Sequence, residues 1–153
     1  MNAGRILFPT DFSSVSDDVL TLAVSLARDR KAELIIAHVV EPGTVYCYGE
    51  SRLFTTVGGA SDPNYRELEH RLAAVVPDDT TVRFRHVLAQ GIPAQEIVRL
   101  AEEENVDLIV IGTHGWTGLK HLLMGSVAEA VVRHATCPVM TVRGRQNSPV
   151  MVE

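Results

Sequence analysis

The sequence predicts an open α/β sheet of parallel strands with helices on both faces, and three observations point to it. Short apolar runs alternate with stretches whose apolar residues recur at helical spacing, the pattern of β–α–β units with doubly covered strands. The almost purely apolar run Val106-Asp107-Leu108-Ile109-Val110-Ile111 leads directly into Gly112-Thr113-His114-Gly115, and after nine more residues Gly125-Ser126 opens another helical stripe. The length, 153 residues, suits one domain and suffices to bury about 68–70% of the unfolded surface in a full core.

Taken in order, Arg5–Phe8 reads as a short apolar strand. Val19, Leu22, Ala23, Leu26 and Ala27 share one face of a first helix, which Ser13, Ser14 or Ser16 can cap. Glu33–Val40 reads as a buried strand. Tyr65, Leu68, Leu72, Val75 and Val76 form a second helical stripe, and Thr80–Leu88, which alternates in part, a third strand. Ala94, Ile97, Val98 and Ala101 mark a third helix, with Gly91 and Pro93 at its start. Val106–Ile111, Val127–Ala135 and Val139–Val142 complete the chain as strand, helix and strand. Right-handed crossovers then restrict the topology. Residues 1–143 are expected to form the single domain, and 144–153 a frayed tail.

The glycine-bearing segment carries the clearest chemical signal. It joins the carboxyl end of a buried strand to the amino end of a helix, which is where open α/β sheets bind ligands. Backbone N–H groups at such a place form an anion site, and phosphate is the usual anion. Gly112 and Gly115 are expected to bracket a sharp turn where a side chain would crowd a ligand or demand positive φ. Gly125 lets a phosphate approach the helix start, and Ser126 offers a hydroxyl and an N–H. The competing role for Ser126 is an N-cap, because Ser126-Val127-Ala128-Glu129 has the spacing of a capping box.

Gly112-x2-Gly115-x9-Gly125-Ser126 resembles the nucleotide-binding signature of the ATP-binding branch of the universal stress proteins. The likeness runs along nearly the whole chain. Ile6-Leu7-Phe8-Pro9-Thr10-Asp11-Phe12-Ser13 is similar to that family's first strand and loop, and Ala37-His38-Val39-Val40 to its second strand. The stretches from Gly118 to Glu129 and from Cys137 to Val142 are similar to its closing segment. The resemblance implies a Rossmann-like or flavodoxin-like sheet of strand order 3-2-1-4-5. It also implies an adenine-nucleotide site, for ATP with Mg²⁺, and a homodimer.

That order puts the switch point between the first and fourth strands, so that Pro9-Thr10-Asp11 and Gly112–Ser126 converge. The expected ATP-binding set is Pro9, Thr10, Asp11, Val39, Ile111, Gly112, His114, Gly115, Gly125, Ser126 and Val127. Asp11 is placed near a ribose, or near Mg²⁺ through a water; its alternative is a helix N-terminal acid. Val39 and Ile111 read as core by sequence and as base-covering by resemblance. Trp116 departs from the resembling family, many of whose ATP-binding members carry a basic residue there, so phosphate affinity or the nucleotide itself is in question. His114 and Lys120 offer partial compensation, while Trp116 can instead serve packing against the loop or a partner subunit.

Other classes are disfavoured. The formal charge is −5, from 14 basic and 19 acidic residues, unlike a general nucleic-acid binder. No apolar run approaches the roughly 18–20 residues of a membrane span. Met1-Asn2-Ala3-Gly4-Arg5 enters a strand without a secretory signal, so a cytoplasmic protein is expected. Cys47 and Cys137 make no disulfide framework, and Cys137 reads as a small core hydrophobe rather than a metal partner of His134. There is no Walker P-loop and no Gly-x-Gly-x-x-Gly after the first strand. No general base or nucleophile can be named, and the six histidines are scattered, most expected at the surface or at strand ends.

The functional expectation is a stress-response binding module for ATP. Its alternatives are a slow ATPase or phosphotransfer enzyme and a nucleotide-independent dimeric scaffold. Val139-Met140-Thr141-Val142, apolar at a sheet edge, is expected to form the dimer contact. The irregular stretch Glu41–Asn64 reads as a variable loop or as a cover over the nucleotide.

Overall fold

The computed structural model describes residues 4–42, 45–47, 54–56, 62–113 and 124–144. Its main sheet has five strands: β1 (Arg5–Pro9), β2 (Glu33–Val40), β5 (Phe84–Gln90), β6 (Leu108–Gly112) and β7 (Val139–Val142). The order across it is β5-β2-β1-β6-β7, with every neighbouring pair parallel. Counting only these strands, that is the expected 3-2-1-4-5. A separate antiparallel pair, β3 (Val45–Cys47) and β4 (Phe54–Thr56), lies within the stretch that showed no periodicity in the sequence. Three-residue strands are too short to leave a legible alternation.

Strand alternation sorts the core into two layers. Ile6 and Phe8 of β1, Leu34 and Ile36 of β2, and Leu108 and Val110 of β6 pack under α1 (Ser14–Arg30) and α2 (Pro63–Ala74). Leu7, Ile35, Ala37, Val39, Ile109 and Ile111 face the other way, against α3 (Pro93–Glu103) and α4 (Ser126–His134). Cys137 packs at the edge of this second layer, and burial raises its thiol pKa above the ordinary value.

Several boundaries differ from the sequence reading, each for a local reason. The third strand of the sheet starts at Phe84 and not Thr80, because the Asp79 carboxylate accepts from the Thr81 amide at 2.9 Å and its hydroxyl at 2.6 Å. That local turn diverts the backbone from the ladder. Val75 and Val76 lie beyond α2, whose start is set by Pro63 in the first turn and Asp62, which accepts from the Asn64 amide. β6 starts at Leu108, where the expected strand began at Val106; the Asp107 carboxylate takes the Arg5 amide at 2.7 Å. Gly91, at φ +149°, turns the chain from β5 into α3, and a Cβ there would lie 2.8 Å from Glu96 Cγ.

At the amino ends of the strands, Arg5 and Arg85 share Glu33 and Glu104, the Arg85–Glu104 contact being 2.5 Å. These half-exposed pairs each contribute at most about 1 kcal/mol. They lie at the end of the sheet opposite the loops considered next.

Candidate functional site

β1 and β6 are adjacent and parallel, so their carboxyl ends lie side by side. β1 is followed by a crossover to β2 on one side, and β6 by a crossover to β7 on the other. The strand order reverses here, the place where open α/β sheets form a crevice for ligands.

On the β6 side, Gly112 ends the strand opposite Val142, and the Thr113 amide donates to the Val142 carbonyl at 2.9 Å. The Thr113 carbonyl accepts from the Gly125 amide. This bond sets the amino end of α4 directly beside the end of β6. Gly125 is the N-cap, with φ −68° and ψ 160°, and as a glycine it brings no side chain to cap the helix. The Glu129 amide is taken by the Gly125 carbonyl at 3.0 Å, so the first-turn amides of Ser126, Val127 and Ala128 are those left outside the helical ladder.

Two alternatives that the sequence left open are decided here. Ser126 is the first residue of the helix and not its cap, and its hydroxyl makes no capping bond. Gly112 is not a position of forced positive φ, since it ends a strand, and Gly125 sits in extended backbone. Ser126 and Val127 are exposed at this helix end. His114, Gly115, Trp116 and Lys120 lie outside the described residues.

On the β1 side, half-buried Pro9 ends the strand opposite Ala37, and the buried Thr10 donates its amide to the Ala37 carbonyl at 2.8 Å. Asp11 Oδ1 accepts from the Ser13 amide at 2.9 Å and from Ser16 Oγ at 2.8 Å. The helix-terminal role of Asp11 is therefore realised, with Ser13 as N-cap of α1. The carboxylate is held in place at the crevice by the helix it precedes. Val39, 8% exposed, and Ile111 both belong to the layer under α3 and α4, so each is core at the end of its strand. Among the described residues, no group of three or more His, Cys, Asp or Glu is placed to hold a metal ion.

Sequence reasoning missed His38. Expected at the surface or a strand end, it is 5% exposed on β2, and its Nδ1–H donates to the Thr10 carbonyl at 2.7 Å. Its ring lies 4.3 Å from that of Phe12. The available signal was its register: His38 stands two residues after Ile36, on a face otherwise filled by Leu34, Ile36 and Val40.

Burial depresses the His38 pKa, outweighing the opposing pull of the Thr10 carbonyl and of Asp11, while Arg71 depresses it further. The unfolded chain, with an imidazole pKa of about 6.5, then binds the extra proton first. Stability from neutral His38 is complete above that pH and is lost as pH falls from the unfolded towards the lower folded value. Within the window the slope approaches about 1.4 kcal/mol per pH unit. Denaturant melts of wild type and His38→Asn between pH 7.5 and 5 should show the wild type losing more stability; parallel curves would refute the assignment.

A sequence profile of the Universal stress protein family matches residues 2–143. The chain is 31% identical to universal stress protein MJ0577 of Methanocaldococcus jannaschii, over 94% of this chain and 96% of that one. It is 32% identical to universal stress protein YxiE of Bacillus subtilis, over 91% and 98% of the two chains. The solved structure of MJ0577 superposes with a TM-score of 0.67 at 30% identity, covering 97% of this chain and all (100%) of that one. A universal stress protein solved in complex with cAMP gives a TM-score of 0.59 at 26% identity, over 94% and 98%. With a matching profile over almost its whole length and the same five-strand order, the chain belongs to the universal stress protein family.

Proposed function

We propose that the chain binds an adenine nucleotide, ATP with Mg²⁺, in the crevice at the carboxyl ends of β1 and β6. The carrying observation is the Thr113–Gly125 hydrogen bond, which sets the amino end of α4, begun by a glycine cap, against the end of β6. Phosphate meets backbone amides and the positive end of a helix dipole there. The motif Gly112-x2-Gly115-x9-Gly125-Ser126 and the cAMP complex of a relative support a nucleotide as ligand. In this reading Asp11 meets the ribose, or Mg²⁺ through a water. Magnesium usually takes one or two carboxylates together with substrate phosphates, and Asp11 is the carboxylate at this crevice. Val39 and Ile111 cover the base, while Ser126, Val127, His114 and Gly115 serve the phosphates.

The site acts as a binding module in the cytoplasm, in which bound nucleotide stabilises a conformation that a protein partner reads. Calorimetric titration with ATP, ADP and AMP tests the ligand, and no heat or thermal shift with any of them would exclude it. Turnover is expected below about one per minute, against a typical enzyme rate of roughly 10 s⁻¹. Faster phosphate release that disappears in Asp11→Asn would make it an ATPase.

We also propose a two-fold homodimer through β7. This strand pairs with β6 on one side and ends the sheet on the other. Met140 and Val142 pack into one face and Val139 into the other, with Thr141 exposed. Their side chains fix a regular strand whose outer backbone edge can pair with its copy. Light scattering at micromolar concentration should give twice the 16.7 kDa chain mass. A monomer would refute this interface.

A further inference from the structure

We propose that His38 is a positioning residue of the crevice, fixing the Thr10 carbonyl and the turn at Phe12 that aims the Asp11 carboxylate. This role rests on the nucleotide-binding reading above. The chain leaves the sheet after Thr10, and the His38 imidazole supplies the donor for the Thr10 carbonyl across from β2. Two residues on, Phe12 has φ +63°, a left-handed conformation that an aromatic residue rarely adopts. Such strain persists only where the surroundings over-determine it.

Here the surroundings are visible. The Phe12 ring lies 4.3 Å from the His38 ring at a tilt of 37°, and the Arg71 guanidinium stands 4.6 Å from the Phe12 centroid. The Phe12 amide donates to Thr10 Oγ1 at 3.1 Å. The result of this turn is the placement of Asp11, whose Oδ1 gathers Ser13 and Ser16 at the start of α1. His38 thus links strand β2 to the one carboxylate in the β1 loop. A leucine at 38 would fill the same apolar face, yet it would leave the Thr10 carbonyl without this donor.

The test uses the full-length protein and three variants. His38→Leu removes the donor, and His38→Asn keeps an N–H at the position of Nδ1. Phe12→Leu keeps apolar packing but removes the ring. ATP affinity is read by calorimetry, and amide hydrogen exchange at Phe12 and Ser13 is read in nucleotide-free protein. His38→Leu should bind ATP about tenfold more weakly, the scale of one lost hydrogen bond, and exchange faster at both amides. His38→Asn should restore both readouts, which a merely structural loss would not do. Should His38→Leu fail to fold, Phe12→Leu carries the test, with weakened ATP binding expected and wild-type affinity overturning the role. Unchanged exchange in His38→Leu, or an Asn variant as impaired as Leu, also overturns it. If the wild type binds no nucleotide while exchange responds as described, the nucleotide reading fails and His38 stands as the residue that holds the turn.

Discussion

Replacing Phe8 by alanine is expected to cost about 3–5 kcal/mol of folding stability, the usual toll of emptying a buried aromatic site. Phe8 is 1% exposed and is among the largest fully buried side chains of the described core. It lies on β1, the middle strand of the sheet, opposite Ile36 of β2, and packs in the layer beneath α1. Backbone pairing fixes β1 on both sides, so the strand has little freedom to collapse into the space left behind. For a domain of this length the melting midpoint should fall on the order of 10 °C. Leu22→Ala is the control. It sits on the apolar stripe of α1 but is 36% exposed, so its loss should be well under that of Phe8. Comparable losses from the two substitutions in thermal or denaturant melts would contradict the assigned face of α1.

Leu22 also illustrates what the sequence conveys and what it does not. The period of apolar residues located α1 and most of its inner face, because burial and helical spacing are the same fact. It could not say how wide the covered stripe is, since that depends on how far α1 tilts over β1 and β2. The buried set is Val19, Ala23, Val24 and Ala27, which rotates the face away from Leu22. Strand order was legible through resemblance alone. Parallel pairing leaves no local mark, because each pair is closed by a long crossover.

Near the strand ends, the glycines and Asp11 stand out in the sequence because loop chemistry needs particular residue types at fixed spacing. His38 does not. A histidine in an apolar strand looks the same whether it points to solvent or to a carbonyl. The partner, Thr10, is 28 residues away in sequence and is brought near only by the register of β1 with β2. The capping alternative for Ser126 closes for a local reason. Its spacing to Glu129 fits a capping box, but Gly125 occupies the cap and Ser126 is the first residue of the helix.

Gly125→Val is expected to abolish stabilisation by MgATP while leaving the nucleotide-free protein folded. Saturating nucleotide at about 100 times its dissociation constant should add roughly 2.7 kcal/mol to the wild type. That corresponds to a midpoint rise of about 5–10 °C in a domain of this size. The backbone at Gly125 has φ −68° and ψ 160°, a conformation that valine adopts without strain. Valine there keeps the amide that donates to the Thr113 carbonyl, so the end of β6 and the start of α4 stay joined. What changes is the space in front of the first-turn amides, where a branched side chain would stand in the path of phosphate. Ser126→Ala should reduce the shift only in part, because the Ser126 hydroxyl makes no capping bond and its amide remains. The measurement is a thermal melt of wild type and both variants, with and without MgATP. A Gly125→Val protein that retains the full shift would remove the amino end of α4 from the phosphate site. One that melts far below wild type without nucleotide would show that the glycine serves the fold.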